Sequence, residues 1–303
     1  MAFDPHKLMS WPFKDVMRSY DDRDTLLYAL SIGLGERLDD ERWLPFVYEK
    51  QLKALPTMLT VLGMTDIGFM TDPDIGLDLS KMLHGEAGLE IHAPLPATGS
   101  IVSRMRLVDL IDKGPQKGSL LYYERHIRNG FDNTALATER GCFILRGNGG
   151  FADTSRVAPT PHAIPDRPAD LVCDLPTLPQ SALLYRLTGD RNPLHADPDL
   201  AHAVGFPRPI LHGACTFGIA GHALLKTLCD YDPTRFKRMD VRFAAPVFPG
   251  ETLRTEIWIE DEPYLSFRSK VLERDKVVLD NGYAQCDVVA SVRDRLRSSG
   301  VLA

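Results

Sequence analysis

No run in this sequence approaches the roughly 18 apolar residues that a membrane-spanning helix requires. The first 22 residues, MAFDPHKLMSWPFKDVMRSYDD, lack a basic head followed by an apolar core, and the chain ends SSGVLA, neither SKL nor KDEL. These two absences set a cytoplasmic location as the expectation. Cysteine is scarce: five residues (Cys142, Cys173, Cys215, Cys229, Cys286), widely spaced and never as CxxC, which argues against a disulfide framework or a zinc site. Basic charge is not in excess either, with 35 Lys and Arg against 41 Asp and Glu and a net charge of −6, so nucleic acid is not an expected partner. Gly147-Asn148-Gly149-Gly150 has no P-loop Lys-Ser/Thr and no Rossmann spacing, and no Gly-x-Ser-x-Gly elbow occurs. Asp72, Asp74 and Asp78 lack EF-hand spacing. His195, His202, His212 and His222 fit no HExxH pattern and bring no carboxylate set with them, so no metal is expected.

What is present is ordinary globular composition, 44% hydrophobic and 25% charged over 303 residues, enough for one large or two modest domains. Prolines at 159, 161, 165, 168, 176 and 179 mark a connector, since proline at that density prevents helix and disfavours interior strand. The expected division is 1–150, a linker over 151–182, and 183–303. The halves carry a weak repeat. Leu26-Leu27-Tyr28-Ala29-Leu30 answers Leu183-Leu184-Tyr185-Arg186-Leu187, and the turn Ala93–Gly99 answers Ala245–Gly250, each before an extended alternating stretch. Pro209–Lys226, apolar on most sides and rich in small residues, predicts a long buried helix around which a sheet closes. Its counterpart, Thr57–Gly63, covers about two turns before glycine and proline interrupt it. The expected class is α+β, with a pocket where the shorter helix leaves its sheet underfilled.

The segment richest in chemistry is Leu184–Ala201. Thr188, Asp190, Asn192 and His195 are gathered by Gly189 and Pro193 into a tight turn, and Asp197-Pro198 starts a short helix. A carboxylate and an imidazole so placed can share one water, each handling one of its protons. Taken alone, Gly-Asp-x-Asn-Pro is also simply a turn.

The full run Tyr185-x-Leu187-Thr188-Gly189-Asp190-x-Asn192-Pro193-Leu194-His195, with Ala201 beyond it, resembles the signature of the (R)-specific enoyl-CoA hydratases, the hydratase 2 or MaoC-like group. The likeness continues through Pro207–Gly213 and the two turns. It implies a double hot dog: an antiparallel sheet wrapped around a long buried helix in the C-terminal half, and a degenerate N-terminal repeat. In that repeat the catalytic loop is replaced by Ser31–Asp39. The implied reaction is reversible hydration of a trans-2-enoyl-CoA to a (3R)-hydroxyacyl-CoA, with no cofactor beyond the coenzyme A of the substrate.

In that setting Asp190 and His195 hold and polarise the water, Asn192 orients it or braces the loop, and the N–H of Gly213 receives the thioester oxygen. Contacts to the acyl-CoA fall on His84, Gly85, Lys113, Arg191, Pro193, Leu194 and Phe243. The shortened N-terminal helix points to medium, long or bulky acyl chains, and the family to a homodimer. A thioesterase or a non-catalytic acyl-thioester binding module are the alternatives on the same fold.

Overall fold

The computed structural model describes residues 3–36, 40–63, 67–152, 154–261 and 263–298. It opens with α1 (Pro5–Met9), β1 (Val16–Tyr20) and α2 (Asp22–Ser31), the last started by a reciprocal capping box between Asp21 and Asp24. Short helices α3 (Leu59–Leu62) and α4 (Gly68–Thr71) precede β2 (Met82–Ile91), β3 (Gly99–Asp112), β4 (Ser119–Asn129) and β5 (Ala135–Leu145). Beyond the proline-rich stretch come β6 (Leu171–Pro176), α5 (Ser181–Tyr185), α6 (Pro198–Ala203) and α7 (Gly213–Leu228). β7 (Phe236–Phe243), β8 (Thr252–Asp261), β9 (Tyr264–Val271), β10 (Lys276–Cys286) and α8 (Ala290–Ser298) complete the order.

Among the described residues the ten strands form one antiparallel sheet in the order β1-β3-β4-β5-β2-β7-β10-β9-β8-β6. Read outward from the central β2–β7 pair, each half repeats the same five-strand sequence, which is the duplication that the paired sequence matches predicted. Part of the expected degenerate loop, residues 37–39, lies outside the described residues.

β6 corrects the reading of the proline-rich stretch as connector alone. It pairs along β8 from Leu171–Ile257 to Pro176–Thr252 and occupies in the second half the place of β1 in the first. Proline is tolerated because the strand lies at the sheet edge and Pro176 at its end, where no ladder bond is lost. The preceding residues are laid over the sheet, as the proline density implied: the Arg167 carbonyl accepts Trp258 Nε1–H at 2.8 Å, and His162 Nε2 lies 2.6 Å from Ser266 Oγ.

Alternation on β8 and β9 sends Leu253, Thr255, Ile257 and Ile259, with their partners Val271, Ser269, Phe267 and Leu265, to one fully buried face. Helix α7 shares the same core. Its glycines do not all serve the sheet as expected. Gly218 faces Tyr28 of α2 and Ile32 just past its end, and Gly221 faces Thr57, so the small residues let the first half's helical segments close on α7.

Among the described residues the first half has no helix as long as α7, and its core is divided. One cluster (Leu8, Phe69, Ile75, Met105, Leu110, Leu121, Leu145 and Tyr123) is separate from the main core that includes Ile127 and Ala137. Between them on β4 and β5 lies a buried ion pair, Arg125 to Glu139 at 2.7 Å.

A side chain at Gly221 would have to displace Thr57, because a Cβ there falls 2.7 Å from Thr57 Cγ2. Gly221→Val is expected to cost about 1–3 kcal/mol of stability by overpacking, read as a lowered urea midpoint at unchanged m-value.

Candidate active site

The loop before α6 is built from side chains that take over backbone partners. Thr188 Oγ1 donates to the Tyr185 carbonyl at 2.7 Å and closes a 3-10 turn. Gly189 then adopts φ +145°, a conformation that L side chains rarely take. The Asp190 carboxylate accepts the Asn192 N–H at 3.1 Å, and Asn192 Oδ1 accepts the Leu194 N–H at 3.0 Å, two successive Asx turns that swing His195 inward. Asn192 therefore braces the loop; Arg191 and Pro193 are exposed, and Leu194 is half-buried.

His195 is buried, and its Nδ1 lies 2.9 Å from the Ile210 carbonyl. A carbonyl only accepts, so Nδ1 carries the hydrogen and Nε2 keeps its lone pair. His212, 1% exposed, stacks on His195 with ring centroids 3.7 Å apart. Its Nε2 donates to the Asp190 carbonyl at 3.1 Å, which leaves the lone pair on Nδ1. Burial pushes the pKa of His195 down and that of His212 down to about 4, the latter helped by His195 beside it. Near neutral pH both imidazoles are bases without charge.

Asp190, His195 and His212 each offer one ligand atom within 4.8 Å of the others. The sequence pairs Asp190 with His195 alone, and the fold adds His212 to them. Two neutral imidazoles and a carboxylate can share a water or hold a divalent cation. His212 was missed as a member of this group: its only signal in sequence is its place beside Gly213, and its contact with His195 exists only after folding.

Gly213 is the first residue of α7, where the leading N–H groups have no partner within the helix and the positive end of the dipole lies. A Cβ on Gly213 would fall 3.2 Å from Phe243 Cε1. The Phe243 ring in turn sits 5.1 Å from that of His84, whose Nε2 is 3.1 Å from Tyr123 Oη. Burial lowers the His84 pKa to about 4, with Arg125 adding to the effect. Gly85 lies at a register shift in β2, where a Cβ would fall 2.8 Å from Ile144 Cγ1. The fold thus brings Asp190, His195, Gly213, Phe243 and His84 into one continuous chain of contacts.

Lys113 does not join that group. The register His84–Phe143, Phe143–Leu121, Leu121–Leu110 places its hairpin at the same end of the sheet, three strands away, roughly 14 Å. The hairpin is pinned by the buried Asp112 carboxylate, which accepts the N–H groups of Gly114, Gly150, Phe151 and Ala152 at 2.5–2.8 Å. Burial works to raise the Asp112 pKa, but these four donors outweigh it and hold the carboxyl below its usual range.

Two family models match adjoining stretches: the MFE-2 hydratase 2 N-terminal domain over residues 19–147 and the MaoC like domain over 161–281. The chain is 38% identical over 292 residues to the peroxisomal enoyl-CoA hydratase 2 of Arabidopsis thaliana, covering 91% of this chain and 94% of that protein. The crystal structure of a MaoC-like dehydratase from Phytophthora capsici aligns with a TM-score of 0.81 at 33% identity, covering 95% of this chain and 100% of that one. A Mycobacterium tuberculosis protein described as having a double hotdog fold aligns with a TM-score of 0.54 at 17% identity, over 90% of this chain and 95% of its own. That last is a likeness of fold alone.

Burial also pushes His222, on α7, down to about 3. Unfolded, His84, His212 and His222 regain ordinary values near 6.5 and bind protons that the folded imidazoles refuse, so stability falls as pH is lowered. The loss should begin near pH 6.5 and continue toward pH 4. Urea midpoints at pH 7.5, 6.0 and 5.0 measure it, and a midpoint constant over that range would contradict the burial of these rings.

Proposed function

The chain belongs to the MaoC-like, hydratase 2 family, and on that premise we propose that it adds water reversibly across the double bond of a trans-2-enoyl-CoA to give a (3R)-hydroxyacyl-CoA. The observation that carries the reading is the meeting of the Asp190 carboxylate with two neutral imidazoles beside the start of the buried helix. Asp190 and His195 hold the water between them; its oxygen bonds to the β-carbon as one O–H proton passes to one of the two bases, and that proton is then delivered to the α-carbon, so both groups end as they began. His212 keeps the loop in place through the Asp190 carbonyl. As enolate charge develops, the thioester oxygen turns to the Gly213 N–H, and a donor of this kind is worth about 10²–10³ in rate.

The remaining acyl-CoA contacts fall to His84, Gly85 and Phe243 near the thioester, to Arg191, Pro193 and Leu194 on the loop, and to Lys113 for a coenzyme A phosphate. The 14 Å or so from His84 to the Lys113 hairpin suits a ligand with a long pantetheine arm. In this scheme the half up to residue 150 binds acyl chain and coenzyme, residues 151–182 link the halves and supply the edge strand β6, and 183–303 carry the chemistry. The short α3 and α4, together with the divided core above them, favour medium, long or bulky acyl chains. No metal has a part in the proposed reaction. Five free, buried cysteines accord with a reducing compartment such as the cytoplasm, and a homodimer is proposed on the symmetry common to soluble oligomers.

The test is loss of enoyl absorbance from trans-2-enoyl-CoA of four, ten and sixteen carbons, with chiral analysis of product. Hydration of the longer substrates to the (3R) product is expected, with kcat lowered about 10²–10⁴-fold in Asp190→Asn or His195→Gln. Because His195 must be neutral and burial lowers its pKa, the acid limb of kcat/KM should lie below pH 6.5. Activity should survive EDTA. Free coenzyme A in place of hydroxyacyl-CoA would replace hydration by thioester hydrolysis, and inactivation by EDTA would transfer the Asp190, His195 and His212 set to a metal.

A further inference from the structure

We propose that Arg18 is a positioning residue that sets the aim of Asp190, an inference that rests on the hydratase reading above. Arg18 lies on β1, the edge strand of the first half, one residue before the stretch matched by the family model. Its guanidinium is half-buried and serves two backbone carbonyls from opposite halves of the molecule. Nη1 donates to the Val61 carbonyl at 3.0 Å and Nη2 to the Thr188 carbonyl at 2.7 Å. Val61 belongs to the single turn of α3, and Thr188 is the last residue of the 3-10 turn that leads into the catalytic loop. Both carbonyls stand at helix C-terminal ends, where a cation is favoured.

The guanidinium also fills space beside Gly189. A Cβ on that glycine would fall 3.1 Å from Arg18 Nη1 and 3.6 Å from Val61 Cγ1. Gly189 is thus the one residue between the carbonyl that Arg18 holds and Asp190, whose own carbonyl is held by His212. With both ends tethered, the Thr188–Gly189–Asp190 segment has one position. Without Arg18, the peptide before Gly189 keeps only the long bond from its N–H to the Arg186 carbonyl, 3.4 Å, and turns more readily about a residue that resists no backbone conformation. The Asp190 carboxylate would then move relative to His195 Nε2. A misplacement of about 1 Å costs about 10²-fold in rate.

Arginine is the suited residue because its planar fork reaches two acceptors at once. Lysine brings the charge but a single compact head that cannot span both carbonyls.

The experiment compares wild type with Arg18→Gln and Arg18→Lys, using trans-2-decenoyl-CoA as substrate and amide hydrogen exchange over residues 186–197 and α7. For Arg18→Gln the expected result is a kcat lowered about 10²-fold and a KM within about twofold of wild type. Faster exchange confined to residues 189–195 should accompany it, with thermal melting of the rest little changed. Arg18→Lys should recover part of kcat and part of the protection. Unchanged kcat and unchanged exchange in Arg18→Gln would overturn the proposal. So would loss of activity that tracks global unfolding or a matching rise in KM. If Arg18→Gln does not fold, Arg18→Lys decides by the same split between kcat and KM. Should wild type fail to hydrate any enoyl-CoA, the hydratase reading falls, while loop exchange in the variants still reports whether Arg18 holds the segment.

Discussion

The molecule depends on the pairing of β2 with β7. This is the seam at which two five-strand halves become one sheet, and its register runs from Glu86 opposite Arg242 to Glu90 opposite Arg238. Gly88 makes the closest approach possible, for a Cβ there would fall 2.1 Å from Asp240 Oδ1. Arg242 reaches back to Glu86 at 2.7 Å across the same seam. Because side chains alternate at every step, a slip of one residue would turn every inward side chain outward. It would also separate His84 from Phe243, and with them the first half's contribution from the start of α7.

The second constraint is dryness. His195, His212 and Gly213 sit where the sheet, the loop and α7 meet, and burial there keeps the imidazoles uncharged. Each ring nitrogen that faces a carbonyl is committed as a donor, so the lone pairs are assigned by the backbone and do not depend on solvent. The same economy of partners runs through the loop, where Thr188, Asp190 and Asn192 each satisfy a backbone group that a tight turn would otherwise strand.

Legibility in the sequence followed distance along the chain. Asp190, Asn192 and His195 share one short motif whose turn residues announce its shape, and α7 is visible as an apolar run with small residues. The duplication was readable because hydrophobic pattern and turn chemistry recur in the same order in both halves. β6 was hidden by Pro176 at its end and the prolines around it, which argue against interior strand and carry no information about an edge. The carboxylate-and-two-imidazole grouping was out of reach, since nothing in local pattern says that His212 stacks on His195. Arg18 is the extreme case: 170 positions separate it from the carbonyl that it holds, and an arginine on a strand has no signature of its own.

The seam also has a cost in time during synthesis. β2 is complete at Ile91, yet the strand that covers its second edge does not begin until Phe236. At a ribosomal pace of about 5–20 residues per second, that edge waits about 7 to 30 seconds for its partner. Over that interval the nascent first half presents an unpaired row of N–H and C=O groups at the centre of the future sheet, beside the buried positions Ala87, Gly88 and Leu89. A fused duplicate of this kind therefore carries an obligation that a dimer of separate halves does not. Until its own second half arrives, its first half carries that open edge.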